Sequence, residues 1–219
     1  MKPPARFGCA CLRGGIYFWS GTGGNYSRIF VPNSVAVDIW TVCLTDECEL
    51  ILSEQEEARA TRFFTEKLRL HWARAHSRLR VILAGYLKTD PLSISFAVNA
   101  YGKPSVAGIE FNLTHTEEFA IIAVCLEAPV GIDIERFRPK VDMAVLLKRL
   151  GETDLPVDPH DLHRRWTRRE ALSKARGGAL FDAVDPEAYA VELKAPENHF
   201  ASAAAMGAVP VPTYREGNR

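Results

Sequence analysis

Alternation and helical repeat break this 219-residue chain into readable elements. In VGIDIE, Ile132 and Ile134 alternate with Asp133 and Glu135. A strand sends successive side chains to opposite faces, so the two carboxylates share one face while the isoleucines pack behind them. The apolar run before it extends the pattern, and residues 111–135 predict one hairpin whose turn lies at 127–129. Further on, Trp166, Glu170 and Lys174 recur at i, i+4 and i+8. Four residues turn a helix by only about 40° beyond a full revolution, so these three form one stripe with a carboxylate at its centre and an ammonium one turn beyond.

The remaining elements follow from the same patterns. Residues 35–44 are β-branched and aromatic and predict a strand. Ser53 with Glu56 three residues on is a capping-box signature for a helix ending near Phe64. A mixed amphipathic pattern predicts a second helix over roughly residues 66–87, with Lys67, His71 and Arg80 among its basic members. Residues 93–99 read as a short strand before a turn, punctuated by Gly102 and Pro104, that leaves Lys103 projecting. A helix is expected over 143–150, and Asp161 is the expected cap of the helix bearing Glu170. Strand character returns over 188–194 and 199–207. Turn formers crowd residues 1–33 and predict loop, while the last residues read as a tail. The expectation is an α+β chain of two adjacent units: a flexible extension at 1–34, an N-terminal unit at 35–123, a C-terminal unit at 124–207 and a tail at 208–219.

Composition narrows the class. Hydrophobic residues make up 47% of the chain, ample for a core and inconsistent with global disorder. Lys and Arg total 27 against 27 Asp and Glu, and this zero net charge argues against a protein whose main partner is nucleic acid. Any polyanion must be met by a local cluster. The five cysteines are odd in number and lack zinc spacing, which fits a reducing compartment, and Cys125 within an apolar run reads as core. No stretch reaches the roughly 20 apolar residues that span a bilayer, and no secretory signal is evident, so a cytoplasmic protein without a membrane partner is expected.

Chemistry enters with the carboxylates. Asp133 and Glu135 from a strand and Glu170 from a helix can converge into an oxygen-ligand site suited to Mg²⁺. Lys174 and His115, the latter flanked by Thr114 and Thr116, would then be free to hold phosphate oxygens. That combination points to transfer chemistry on a phosphate. For Trp166 the expected role is packing beside the site.

Four pieces, GKP at 102–104, FNLTHT at 111–116, VGIDIE at 130–135 and WTRREALSK at 166–174, resemble in order and spacing the 4′-phosphopantetheinyl transferases of the surfactin-synthetase-activating type. The resemblance implies a pseudo-twofold pair of similar α/β subdomains in a monomer, with the active site between them. It implies transfer of the 4′-phosphopantetheine arm of coenzyme A to a serine of an acyl or peptidyl carrier protein, leaving 3′,5′-adenosine diphosphate. Under it, Asp133, Glu135 and Glu170 would hold Mg²⁺, with Mn²⁺ as an alternative. Lys67, His71, Lys103, Thr114, His115 and Lys174 would contact coenzyme A. Glu170 would deprotonate the serine, with Glu152 as the alternative base. The chain departs from the family pattern at His71, where arginine is common, at Arg169, where lysine is common, and in RGGAL at 176–180. Two other readings stay open: another Mg²⁺-dependent phosphate enzyme, or a coenzyme A binding module without turnover.

Overall fold

The computed structural model describes residues 8–12, 15–20, 27–183 and 185–217, and for 8–12, 15–20 and 27–32 the backbone path alone. In that first stretch β1 (Gly8–Leu12), β2 (Gly15–Ser20) and β3 (Ser27–Pro32) form an antiparallel sheet in the order β1-β2-β3, where loop was expected. The segments GIYFWS and SRIFVP hold β-branched and aromatic residues suited to strands. Residues 21–26, the most glycine-rich part, lie outside the described residues.

The expected strand at 35–44 is β4 (Ser34–Cys43). In α1 (Glu54–Ala60) the capping box closes as anticipated: Ser53 Oγ accepts from Glu56 N at 3.4 Å, and the Glu56 carboxylate accepts from Ser53 N at 2.8 Å. The second helix, α2 (Glu66–Leu87), has the expected bounds, with Thr65 as its N-cap. The predicted strand at 93–99 shrinks to β5 (Ala97–Val98), because a 3₁₀ turn takes Pro91–Ser93 and Asn99 turns the chain into β6 (Pro104–Ser105).

The central hairpin needs correcting. Residues 111–135 hold three strands: β7 (Glu110–Thr116), β8 (Phe119–Cys125) and β9 (Val130–Arg136). Only β7 and β8 form a hairpin; the segment at 126–129 carries the chain into another sheet. After α3 (Met143–Arg149) comes α4 (Pro159–Arg176), capped by Asp158 and not by Asp161. Pro159 fixes the first helical position, so Asp161 falls within the first turn and pairs with Arg164 at 2.8 Å. The chain closes with β10 (Ala188–Leu193), β11 (His199–Met206) and β12 (Val209–Glu216). The expected tail is thus a strand, paired in parallel with β4. Pro210 and Pro212 are tolerated because β12 is an edge strand, where the missing N–H groups need no partner.

Two sheets carry the core, β12-β4-β8-β7 and β10-β11-β9. Between them lie Val37 and Ile39 of β4, Ile121 and Ala123 of β8, Ile132 and Ile134 of β9, and Ala201 and Ala203 of β11. On the far face of the first sheet Leu79 and Leu83 of α2 cover Phe111, Ile122 and Val124. On the far face of the second, Ala171 and Ala175 of α4 cover Ala204. The order of layers is α2, sheet, sheet, α4. The boundary expected at 123/124 falls inside β8, and β12 joins the first sheet from the end of the chain.

Candidate active site

The isoleucines of β9 face the inter-sheet core, so Gly131, Asp133 and Glu135 face the opposite way, towards α4. Gly131 permits the approach: a Cβ there would lie 2.1 Å from Ala171 O and 2.2 Å from Ala175 N, both backbone atoms of α4. A turn nearer the start of α4, the buried hydroxyls of Thr167 and Ser202 of β11 meet at 3.0 Å. Strand β9 is also the free edge of its sheet, and it lies beside β7, the free edge of the other. Asn112 of β7 spans the gap, its Oδ1 accepting from Ile132 N at 2.9 Å.

At that seam a charged cluster forms. Lys174 Nζ donates to Asp133 Oδ1 at 2.6 Å, and Thr114 Oγ1 donates to the same oxygen at 3.3 Å. Glu170 lies 3.7 Å from Lys174 Nζ. Asp133 is 3% exposed, and its Oδ2 is buried without a hydrogen-bond partner. Burial raises the pKa of Glu135, as does the charge of Asp133, against opposing effects from Arg138 and a Trp166 hydrogen bond. Glu170 is likewise raised by burial and by Asp133, with Lys174 opposing. Lys174 serves both Asp133 and Glu170, while Glu135 has the charge of Arg138 nearby, and both glutamates keep a raised pKa.

Hard carboxylate oxygens, an orphaned Asp133 Oδ2 and unrelieved repulsion fit a divalent cation such as Mg²⁺. Among the described residues, however, no three acidic, histidine or cysteine side chains stand gathered as a finished ligand set. Lys174 holds the Asp133 oxygen instead.

On the α2 side of β7 lies an open cavity of about 1100 Å³. Its walls include Arg59, Arg62, Trp72, His76, Arg80 and His115. Strand alternation thus places His115 opposite Thr114, on the cavity side. His115 is open to the cavity yet ringed by protein, and burial lowers its pKa, helped by His76, Lys174 and His71.

Several curated proteins resemble the chain. It is 35% identical over 144 residues to the 4′-phosphopantetheinyl transferase HetI of Nostoc sp., covering 59% of this chain and 61% of that protein. It is 27% identical over 161 residues to the putative 4′-phosphopantetheinyl transferase slr0495 of Synechocystis sp., covering 65% of each. The 4′-phosphopantetheinyl transferase Sfp of Bacillus subtilis is 27% identical over 157 residues, covering 61% of this chain and 69% of that protein. The chain is thus similar to 4′-phosphopantetheinyl transferases over about three fifths of its length. It spans less than two thirds of the length of the first two of these relatives. No family model matches it.

The structure separates the site residues expected from the sequence. Asp133, Glu135, Glu170, Lys174 and Thr114 come together at the seam, and His115 stands across β7 from them. Glu152 is held elsewhere, in a two-pronged ion pair with Arg165 at 2.7 and 2.8 Å. Lys67 is exposed and His71 buried, and neither lines the cavity. The Lys103 ammonium is taken up by backbone carbonyls. Arg80 is likewise occupied, with Glu56 at 2.7 Å and the Pro91 and Ile94 carbonyls. The departures from the family pattern are structural: Arg169 holds Leu180 O and Asp182 O, and Arg176 holds Ala183 O. Sequence reasoning missed Arg59 and Arg62 as cavity cations and Asn112 and Gly131 as joints. Arg59, six residues after the Ser53 cap and on the lysine-free helix α1, was the one signal available for the cations.

Proposed function

We propose that this chain transfers the 4′-phosphopantetheine arm of coenzyme A to a serine hydroxyl of an acyl or peptidyl carrier protein, releasing 3′,5′-adenosine diphosphate. The observation that carries the reading is the cluster of Asp133, Glu135, Glu170 and Lys174 at the seam, one strand away from a cavity large enough for a nucleotide whose lining includes Arg59 and Arg62. Asp133, Glu135 and Glu170 would hold Mg²⁺, or Mn²⁺ in its place, which when bound neutralises the pyrophosphate. Glu170, one helical turn before Lys174 and facing the same cluster, accepts the serine proton. The serine oxygen then bonds to the β-phosphorus of coenzyme A as the bond to the adenosine diphosphate oxygen breaks. Lys174 steadies the phosphate oxygens, for which its ammonium must leave Asp133, and Thr114 and His115 offer hydrogen bonds from either side of β7. On this reading the chain acts as a monomer of two related subdomains, and the seam between the two sheets is the site between them. Among the described residues no helix is long and apolar enough to cross a membrane, in keeping with a cytoplasmic setting for this chemistry.

The test is intact mass spectrometry of apo acyl and peptidyl carrier proteins incubated with the protein, coenzyme A and Mg²⁺. A gain of about 340 Da, the mass of the transferred arm, is expected. Glu170→Ala should slow it by about 100-fold or more. No gain on any carrier with coenzyme A still bound would establish a binding module instead, and phosphate release without a carrier would establish a phosphoesterase.

A further inference from the structure

Lys103 stands at the tip of the β5–β6 hairpin. Gly102 and Pro104 on either side of it line the cavity, whereas Lys103 does not. Its Nζ donates to Val130 O at 3.0 Å, to Lys174 O at 2.8 Å and to Ala175 O at 3.4 Å. An ammonium has three protons, and all three are committed here to backbone. Asn99 anchors the same tip: its Oδ1 accepts from Tyr101 N and Lys103 N, and its Nδ2 donates to Gly177 O, each at 2.9 Å.

Two of these carbonyls, of Lys174 and Ala175, belong to the last turn of α4, where carbonyls lack the usual helical partner and a cation also meets the negative end of the helix dipole. Val130 O belongs to the first residue of β9. The clip therefore joins helix to strand beside Gly131, where the two backbones come closest. Asp133 lies two residues further along β9. Lys174, whose carbonyl is held, carries the ammonium that meets Asp133.

We infer that Lys103 is a positioning residue for the transfer: it ties the end of α4 to the start of β9 and so sets the separation of Glu170 and Lys174 from Asp133, and it does not bind coenzyme A. This inference rests on the function proposed above, and its test separates the two. Lys103→Met keeps the stem and removes the donors. Steady-state transfer, calorimetric titration with coenzyme A and hydrogen–deuterium exchange are measured on the full chain. The expected result is a fall in kcat of about tenfold or more, with coenzyme A affinity within about twofold of the parent. Peptides from residues 130–136 and 170–177 should exchange faster. The inference is overturned if coenzyme A affinity falls by about tenfold while kcat at saturation and exchange are unchanged.

Should the parent modify no carrier, the proposed function fails by itself, and exchange still decides the role of Lys103. Should Lys103→Met not fold, Asn99→Ala unhooks the same tip from Gly177 without touching the ammonium. It should lower kcat and loosen the same peptides to a smaller degree, with coenzyme A affinity kept; no change in either would overturn the inference.

Discussion

Gly131→Ala tests whether the seam geometry, and not the mere presence of the charged residues, sets activity. Gly131 has no need of a left-handed backbone, so alanine there meets no conformational penalty and the cost is steric alone. Its Cβ would lie 2.1 Å from Ala171 O, 2.2 Å from Ala175 N and 2.8 Å from the Lys174 carbonyl carbon. Ordinary contacts of this kind are about 3.4 Å or longer, so α4 must withdraw from β9 by about 1 Å. The obstacles are backbone atoms and cannot rotate away, which places the cost at or above the upper end of the roughly 1–3 kcal/mol of overpacking. For a chain of this size that lowers Tm by about 6–12 °C or more. The same withdrawal lengthens the 2.6 Å contact between Lys174 and Asp133. Misplacement of about 1 Å at a reacting centre costs on the order of 100-fold in rate. Thermal unfolding by circular dichroism and carrier modification by mass spectrometry read the two effects. Gly85→Ala in α2 is the control, since a Cβ there meets nothing within 4 Å and helix propensity should raise stability by about 0.5–1 kcal/mol. If Gly131→Ala matches its parent in both Tm and rate, α4 does not depend on this contact and the account of the seam is wrong.

Two further predictions concern Glu56, expected from the sequence as a capping residue, and Glu152, expected as the alternative base. Burial would raise the pKa of Glu56, but hydrogen bonds from His76 and Arg80 hold it down to about 2. Its contribution, up to about 3 kcal/mol, is present above the unfolded carboxylate pKa near 4.5 and is lost as pH falls from there towards 2. Denaturant titrations across that range should show Glu56→Gln less stable at neutral pH and flatter towards acid; a profile parallel to the parent's would contradict this. Glu152, paired with Arg165, is expected to stabilise the loop after α3 and to take no proton: Glu152→Gln should lower Tm by about 2–4 °C and leave the transfer rate within about twofold. A loss of about 100-fold with Tm intact would instead make Glu152 the base.

What was legible in the chain was local. The alternation of Ile132 and Ile134 with Asp133 and Glu135 assigned the faces of β9, because one face of a strand must meet the core whatever its partners. Ser53 with Glu56 announced α1, since both hydrogen bonds close within four residues. The hairpin reading failed at β9 because a turn between two apolar strands says only that the chain reverses. The partner of β9 is β11, whose Ser202 sits opposite Asp133 some seventy residues later. The same period of two sets His115 and Thr114 on opposite faces of β7.

The relative placement of the site residues depends on three joints, none of which has a periodic signature. Asn112 looks like any polar residue in a strand, yet it satisfies the open edge of β9. Gly131 looks like a weak point in a β-branched run, yet any larger residue would force α4 away. Lys103 looks like a solvated turn lysine, yet its ammonium reaches carbonyls 71 and 72 residues away. Each acts across elements whose separation is decided only when the two sheets pack. A motif can therefore name Asp133, Glu135, Glu170 and Lys174 while leaving their distances open. Substitutions at the three joints should change activity while leaving Asp133, Glu135, Glu170 and Lys174 in place.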